Sequence, residues 1–73
     1  MKIGMLWFKD DKKMSLKEKL EEAAAFYLNK YGSMPNTCFV HPSTFEGKIL
    51  TEAGMKVQKD KEVMENHYWI GVE

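Results

Sequence analysis

At 73 residues the chain has room for one domain, 1–73, and a chain this short buries only about 60% of the surface it exposes when unfolded, so its stability margin is thin. An apolar fraction of 44% with two Trp, three Tyr and four Phe excludes a disordered segment. Eleven basic and eleven acidic side chains cancel, which argues against a protein whose main business is gripping a phosphate backbone.

Cys38 is the single cysteine, so no internal disulfide and no zinc site on paired cysteines can be built, and a reducing, cytoplasmic setting fits best. The first element is the apolar run Ile3-Gly4-Met5-Leu6-Trp7-Phe8. It is too short for a signal-peptide core or a membrane span, so the chain reads as soluble, unprocessed and without a membrane partner. Its shortness and aromatics predict a strand with Ile3, Met5 and Trp7 on one face and Leu6 and Phe8 on the other. A strand apolar on both faces is expected in a sheet interior. Lys9 to Met14 is a charged connection in which Asp10 and Asp11 are weak evidence for a cation site.

Ser15 to Tyr31 carries the strongest periodicity. At about 100° per residue Leu16, Leu20, Ala23, Ala24, Tyr27, Leu28 and Tyr31 form one stripe, which predicts an amphipathic helix. Ser15 with Glu18 three residues on forms a capping box, and Gly32 followed by Pro35 marks the end. Phe26 falls on the flank of that stripe, either over the edge of the core or as a contact for another chain.

Gly32 to Asn36 supplies turn residues, and Thr37 to His41 predicts a second strand, parallel to the first across a β-α-β connection. Ser43-x-x-Glu46 repeats the capping signature, predicting a short second helix over 43–53 that Gly47 weakens and Gly54 stops. Met55 to Lys59 alternates apolar and polar as an edge strand does. Asp60 to Asn66 is a polar loop, with Val63 and Met64 able to tuck it down. His67 to Val72 predicts the last strand, antiparallel to the third, with Tyr68, Ile70 and Val72 on one face and Trp69 on the other. The expected architecture is a small two-layer α/β (α+β) domain, β-α-β-α-β-β, with a mixed four-stranded sheet and two helices.

The run Lys30-Tyr31-Gly32-Ser33-Met34-Pro35-Asn36 followed by Val40-His41-Pro42 resembles short bacterial or phage-borne reading frames, a resemblance that implies no activity.

Candidate chemistry is sparse. Cys38 and His41 are three apart on a strand and point to opposite faces, which works against a shared metal or a Cys–His nucleophilic pair. His41 and His67 lie at strand ends with no fixed spacing between them. No glycine-rich phosphate loop is present. The reading therefore assigns no catalytic residues, no metal and no cofactor. Asn36, His41, Ser43 and Thr44, gathered at the start of the second helix, form a candidate anion or ligand site, and helix capping accounts for the same residues.

Two helices cannot dry both faces of such a sheet. Met5, Trp7, Phe39, Tyr68 and Trp69, with Phe26 on the helix flank, are the candidate partner-binding residues. The leading expectation is a small cytoplasmic protein–protein interaction module, most simply a homodimer. The alternatives are a nucleic-acid-binding accessory protein using its lysines with Trp7, Tyr68 or Trp69, and a small enzyme whose cleft is completed at a dimer interface.

Overall fold

The computed structural model describes residues 3–47 and 49–73. One helix packs on one face of a five-stranded mixed sheet. The elements are β1 (Ile3–Phe8), α1 (Leu16–Tyr31), β2 (Thr37–Val40), a 3-10 turn (Pro42–Thr44), β3 (Ile49–Glu52), β4 (Met55–Lys59) and β5 (His67–Val72). The spatial order of strands is β1-β5-β2-β4-β3.

The helix forms where its pattern and caps demand. The Ser15 hydroxyl accepts from the Glu18 N–H at 3.1 Å while the Glu18 carboxylate accepts from the Ser15 N–H at 3.1 Å, so the capping box is complete. Gly32 closes the other end at φ 79, its N–H donating to Leu28 O at 2.8 Å, a left-handed conformation that costs glycine nothing sterically. Leu20, Ala23, Ala24 and Tyr27 are buried, Leu16 is half-buried, and Leu28 and Tyr31 at the far end of the expected stripe stay exposed.

Beneath the helix lie Cys38, Val40, Met55, Val57, Tyr68 and Ile70, all buried, with Met5, Trp7 and Leu50 packed at the margins. This is a single core between one helix and one face of the sheet. The Trp7 ring sits 5.7 Å from Tyr68 and 6.4 Å from Phe26, centroid to centroid. The only ion pair among the described residues, Lys9 with Glu22 at 3.1 Å, fastens the β1–α1 connection to the helix. Both side chains are about one-third exposed, so it contributes at most about 1 kcal/mol.

β5 enters between β1 and β2, antiparallel to both. β1 and β2 therefore run parallel, as the β-α-β reading requires, but flank β5 instead of pairing with each other, a split arrangement. This corrects two expectations. β5 pairs with β1 and β2 and not with the Met55–Lys59 strand, and β1 lies at the edge of the sheet. The six-residue β5 satisfies backbone groups on both sides at once, which pairing with β4 at an edge would not do.

The second helix over 43–53 does not form. The Ser43 N–H donates to His41 Nδ1 at 3.1 Å and the Ser43 hydroxyl lies 2.7 Å from the same nitrogen, so the capping box is replaced by a three-residue turn. Phe45 is extended, and Gly47 adopts φ 91. Ile49 to Glu52 instead pairs antiparallel with Met55 to Lys59. The two are joined by Ala53 at φ 53 and Gly54 at φ 76, positive at both positions as a two-residue type I′ hairpin requires. An eleven-residue helix containing a glycine is marginal alone, whereas the hairpin completes a ladder. Among the described residues the sheet thus has five strands and the fold one α-helix, and β4 is an interior strand with β3 as the second edge.

Candidate interaction surface

The sheet has two faces and α1 covers one. On the other, cross-strand partners line up in a continuous row. Leu6 sits opposite Trp69, Trp69 opposite Phe39, Phe39 opposite Gln58 and Gln58 opposite Ile49, a line that crosses all five strands. Leu6 is 58% exposed and Ile49 57%, while Trp69 and Phe39 are half-buried. Phe8, also 58% exposed, lies with its ring 5.0 Å from that of His67 and tilted 55° to it, at one end of this face. At the other end a second row, Gly4, Gly71, Thr37, Lys56 and Thr51, is small or polar.

The loop 60–66 rises along the Phe8 end. With Leu6, His67 and Trp69, its residues Asp60, Glu62, Val63 and Met64 enclose an open depression of about 430 Å³. The floor is apolar, Met64 is 65% exposed, and two carboxylates stand at the rim. Val63 is half-buried and Met64 exposed at this depression.

The residues expected to bind a partner divide accordingly. Phe39 and Trp69 lie on the open face. Met5 and Trp7 are half-buried on the helix side, at the β1 edge, with the exposed Phe26 ring beside Trp7. Tyr68 is buried in the core at 3% exposure, which removes it from any surface. Burial raises its phenol pKa, and the neighbouring Cys38 adds to the shift. Leu6, Phe8, Ile49 and Met64 are the exposed residues that sequence reasoning passed over. The alternation of β1 already placed Leu6 and Phe8 on the face opposite Trp7, but an interior strand would have covered them. Ile49 was masked by its assignment to a helix.

Of the candidate ligand residues, His41, Ser43 and Thr44 stay together in one turn and Asn36 stands apart from them. Asn36 lies at the start of β2 and holds the chain end: its Oδ1 accepts from the Glu73 N–H at 2.9 Å and from the Thr37 hydroxyl at 2.8 Å, and its Nδ2 donates to Glu73 O at 3.4 Å. His41, Ser43 and Thr44 lie at the opposite end of β2, where Ser43 and Thr44 rim a depression of about 330 Å³ with Leu16, Lys19, Glu65 and Asn66. The helix whose N-terminal amides were to receive an anion is absent, and the charges around this depression are of both signs.

Cys38 is fully buried, and desolvation pushes its thiol up to about 12, so it is protonated at neutral pH and inert as a nucleophile. His41 spends Nδ1 on the Ser43 turn, and His67 Nδ1 lies 2.8 Å from Glu65 O. Among the described residues no three His, Cys, Asp or Glu side chains gather as metal ligands, and no helix is long and apolar enough to cross a membrane. Comparison with known proteins gave no matching family model, curated protein or solved structure.

Proposed function

We propose that this chain is a small cytoplasmic protein–protein interaction module, homodimeric, that receives a protein partner on the sheet face away from α1. The observation that supports the reading is the row Leu6, Trp69, Phe39, Gln58 and Ile49, apolar but for Gln58, on the sheet face away from α1. Contiguous apolar patches on small proteins mark association sites, and burying about 400 Å² of such surface contributes on the order of 10 kcal/mol before association costs. The carboxylates of Asp60 and Glu62 at the rim favour a partner segment that joins an apolar anchor to a basic residue. The same carboxylates repel a nucleic-acid backbone, and the protonated Cys38 offers no nucleophile for an enzyme.

Affinity capture from the native host's extract, with Ile49→Lys and Leu28→Lys baits beside the wild type, tests the docking face. Ile49 is on that face and Leu28 is on α1 on the other side of the sheet, near Ala53 and away from β1, both exposed. A partner retained by wild type and Leu28→Lys and lost by Ile49→Lys is the expected result. Equal retention by all three baits, or none by any, contradicts the proposal.

A further inference from the structure

We infer that two copies of this chain associate through β1, pairing antiparallel across a twofold axis at Leu6 so that two five-stranded sheets become one. This rests on the interaction reading above and adds to it the edge used for self-association. The Lys9 N–H donates to Asn66 O at 3.0 Å, continuing the β1–β5 register in which Phe8 faces His67. In an antiparallel ladder successive residues turn their backbone groups to alternate sides. Trp7 and Met5 therefore address β5, while the N–H and C=O of Gly4, Leu6 and Phe8 point outward, away from the sheet.

Sheet edges in soluble proteins are ordinarily protected by charge, proline, a bulge or brevity. The other edge follows that rule: β3 has four residues, two of them Thr51 and Glu52. β1 has six, IGMLWF, with no charge, no proline and no break in its register. It is apolar towards the helix through Met5 and Trp7 and apolar towards the open face through Leu6 and Phe8. That is the composition of an interior strand, found at an edge.

A second copy is the occupant that makes this edge interior, because the strand is complementary to itself. With Leu6 on the axis, the outward groups pair Leu6 with the partner's Leu6 and Gly4 with the partner's Phe8, giving about six hydrogen bonds at two per narrow pair. On the open face each Phe8 ring then comes to rest beside the Trp69 indole that lies over the other chain's Gly4. On the helix side Met5 meets the partner's Trp7, next to the exposed Phe26. No like charges are brought together within the strand. Leu6, Phe8 and Phe26 are the exposed apolar side chains gathered at this edge, and with the edge backbone the interface buries roughly 800 Å² in total, a size that suits weak, reversible association. The dimer is expected to be weak and to form reversibly as concentration rises. Both helices lie on one side of the joined sheet, and the two uncovered faces merge.

Backbone hydrogen exchange and light scattering over a nanomolar to high-micromolar concentration series test this on the native chain. The amides of Gly4, Leu6 and Phe8 are expected to exchange freely in the monomer and to become protected as mass doubles. Leu6→Pro removes an outward N–H without touching the β5 ladder, so it should give a folded monomer, while Leu6→Thr keeps the N–H and should still dimerise. A wild type that stays monomeric, a Leu6→Pro variant that dimerises like wild type, or a dimer lost instead through Phe39→Lys overturns edge pairing. The Ile49→Lys capture result is independent of all three, so partner docking on the sheet face stands or falls separately, while a wild type monomeric throughout would also remove the homodimer.

Discussion

The Trp69 indole lies across Gly4: a methyl group placed on Gly4 would stand 2.7 Å from Trp69 Cζ2 and 2.8 Å from Cε2. Gly4 and its cross-strand partner Gly71 thus form a bare floor on which the largest side chain of the open face lies flat against the backbone. That contact keeps Trp69 half-buried on a face with no covering layer. Gly4→Ala is expected to lift the ring, because Ile70 O at 3.2 Å blocks the alternative shift of the backbone. The expected cost is about 1–3 kcal/mol, as for other overpacked sites, with a displaced Trp69 indole signal in the NMR spectrum. Unchanged stability and an unmoved signal would show that the ring is not seated there.

The β3–β4 hairpin yields a substitution whose sign separates two structures. Ala53 holds φ 53, a left-handed conformation that costs a non-glycine residue roughly 1–2 kcal/mol. Ala53→Gly relieves it and is expected to stabilise the protein by up to about 1 kcal/mol in urea unfolding, reduced by the glycine's greater freedom when unfolded. In a helix spanning 43–53 the same change would destabilise by about 1 kcal/mol.

Alkali should weaken the fold through the core thiol. Cys38 is pushed up to about 12 from an ordinary value near 9.0. Above pH 9 the unfolded chain loses this proton while the folded chain keeps it, so stability falls as pH rises, by up to about 1.4 kcal/mol per unit, until the folded thiol ionises. Tyr68 acts in the same direction above its ordinary 10.0. Cys38→Ala should flatten the first part of this decline. A wild type equally stable at pH values of about 8 and about 10.5 would contradict the buried, desolvated placement of the thiol.

Asn36 is expected to act through Thr37. The Thr37 hydroxyl is buried and donates to Asn36 Oδ1, so Asn36→Ala leaves it without that acceptor and releases Glu73. A loss of about 1–2 kcal/mol is expected. Adding Thr37→Val to Asn36→Ala should recover part of that loss, since a buried pair removed together costs less than one orphaned partner. Strict additivity would show that the hydroxyl and the amide do not interact.

The helix and the strands β1, β2, β4 and β5 were legible because their signals are local. Ser15 with Glu18, the Leu20-Ala23-Ala24-Tyr27 spacing and Gly32 all lie within one stretch and agree with one another. The segment 43–53 was not, because Ser43-x-x-Glu46 and Ile49-Leu50 suit either a helix start or a turn and strand. The outcome depends on Met55–Lys59 being free to pair. The place of β1 was equally hidden: its apolar faces state what it needs, and only the insertion of β5 determines where it lies. For the same reason the shortage of covering helix could be read from composition, while the residues left uncovered, Leu6, Phe8 and Ile49, required the strand order. Asn36 and Ser43 were grouped because both are polar and close in sequence, yet β2 holds them at opposite ends.

On the proposed function, association covers the sheet face that the single chain leaves bare. The most direct measurement follows the methyl signals of Leu6 and Ile49 with a soluble paramagnetic agent while particle mass is monitored. At single-chain mass, 8.5 kDa, both methyls should be strongly attenuated. Leu6 should become protected as mass doubles, and Ile49 once a captured partner is added. A particle of single-chain mass in which both methyls are already shielded from the agent would contradict the account.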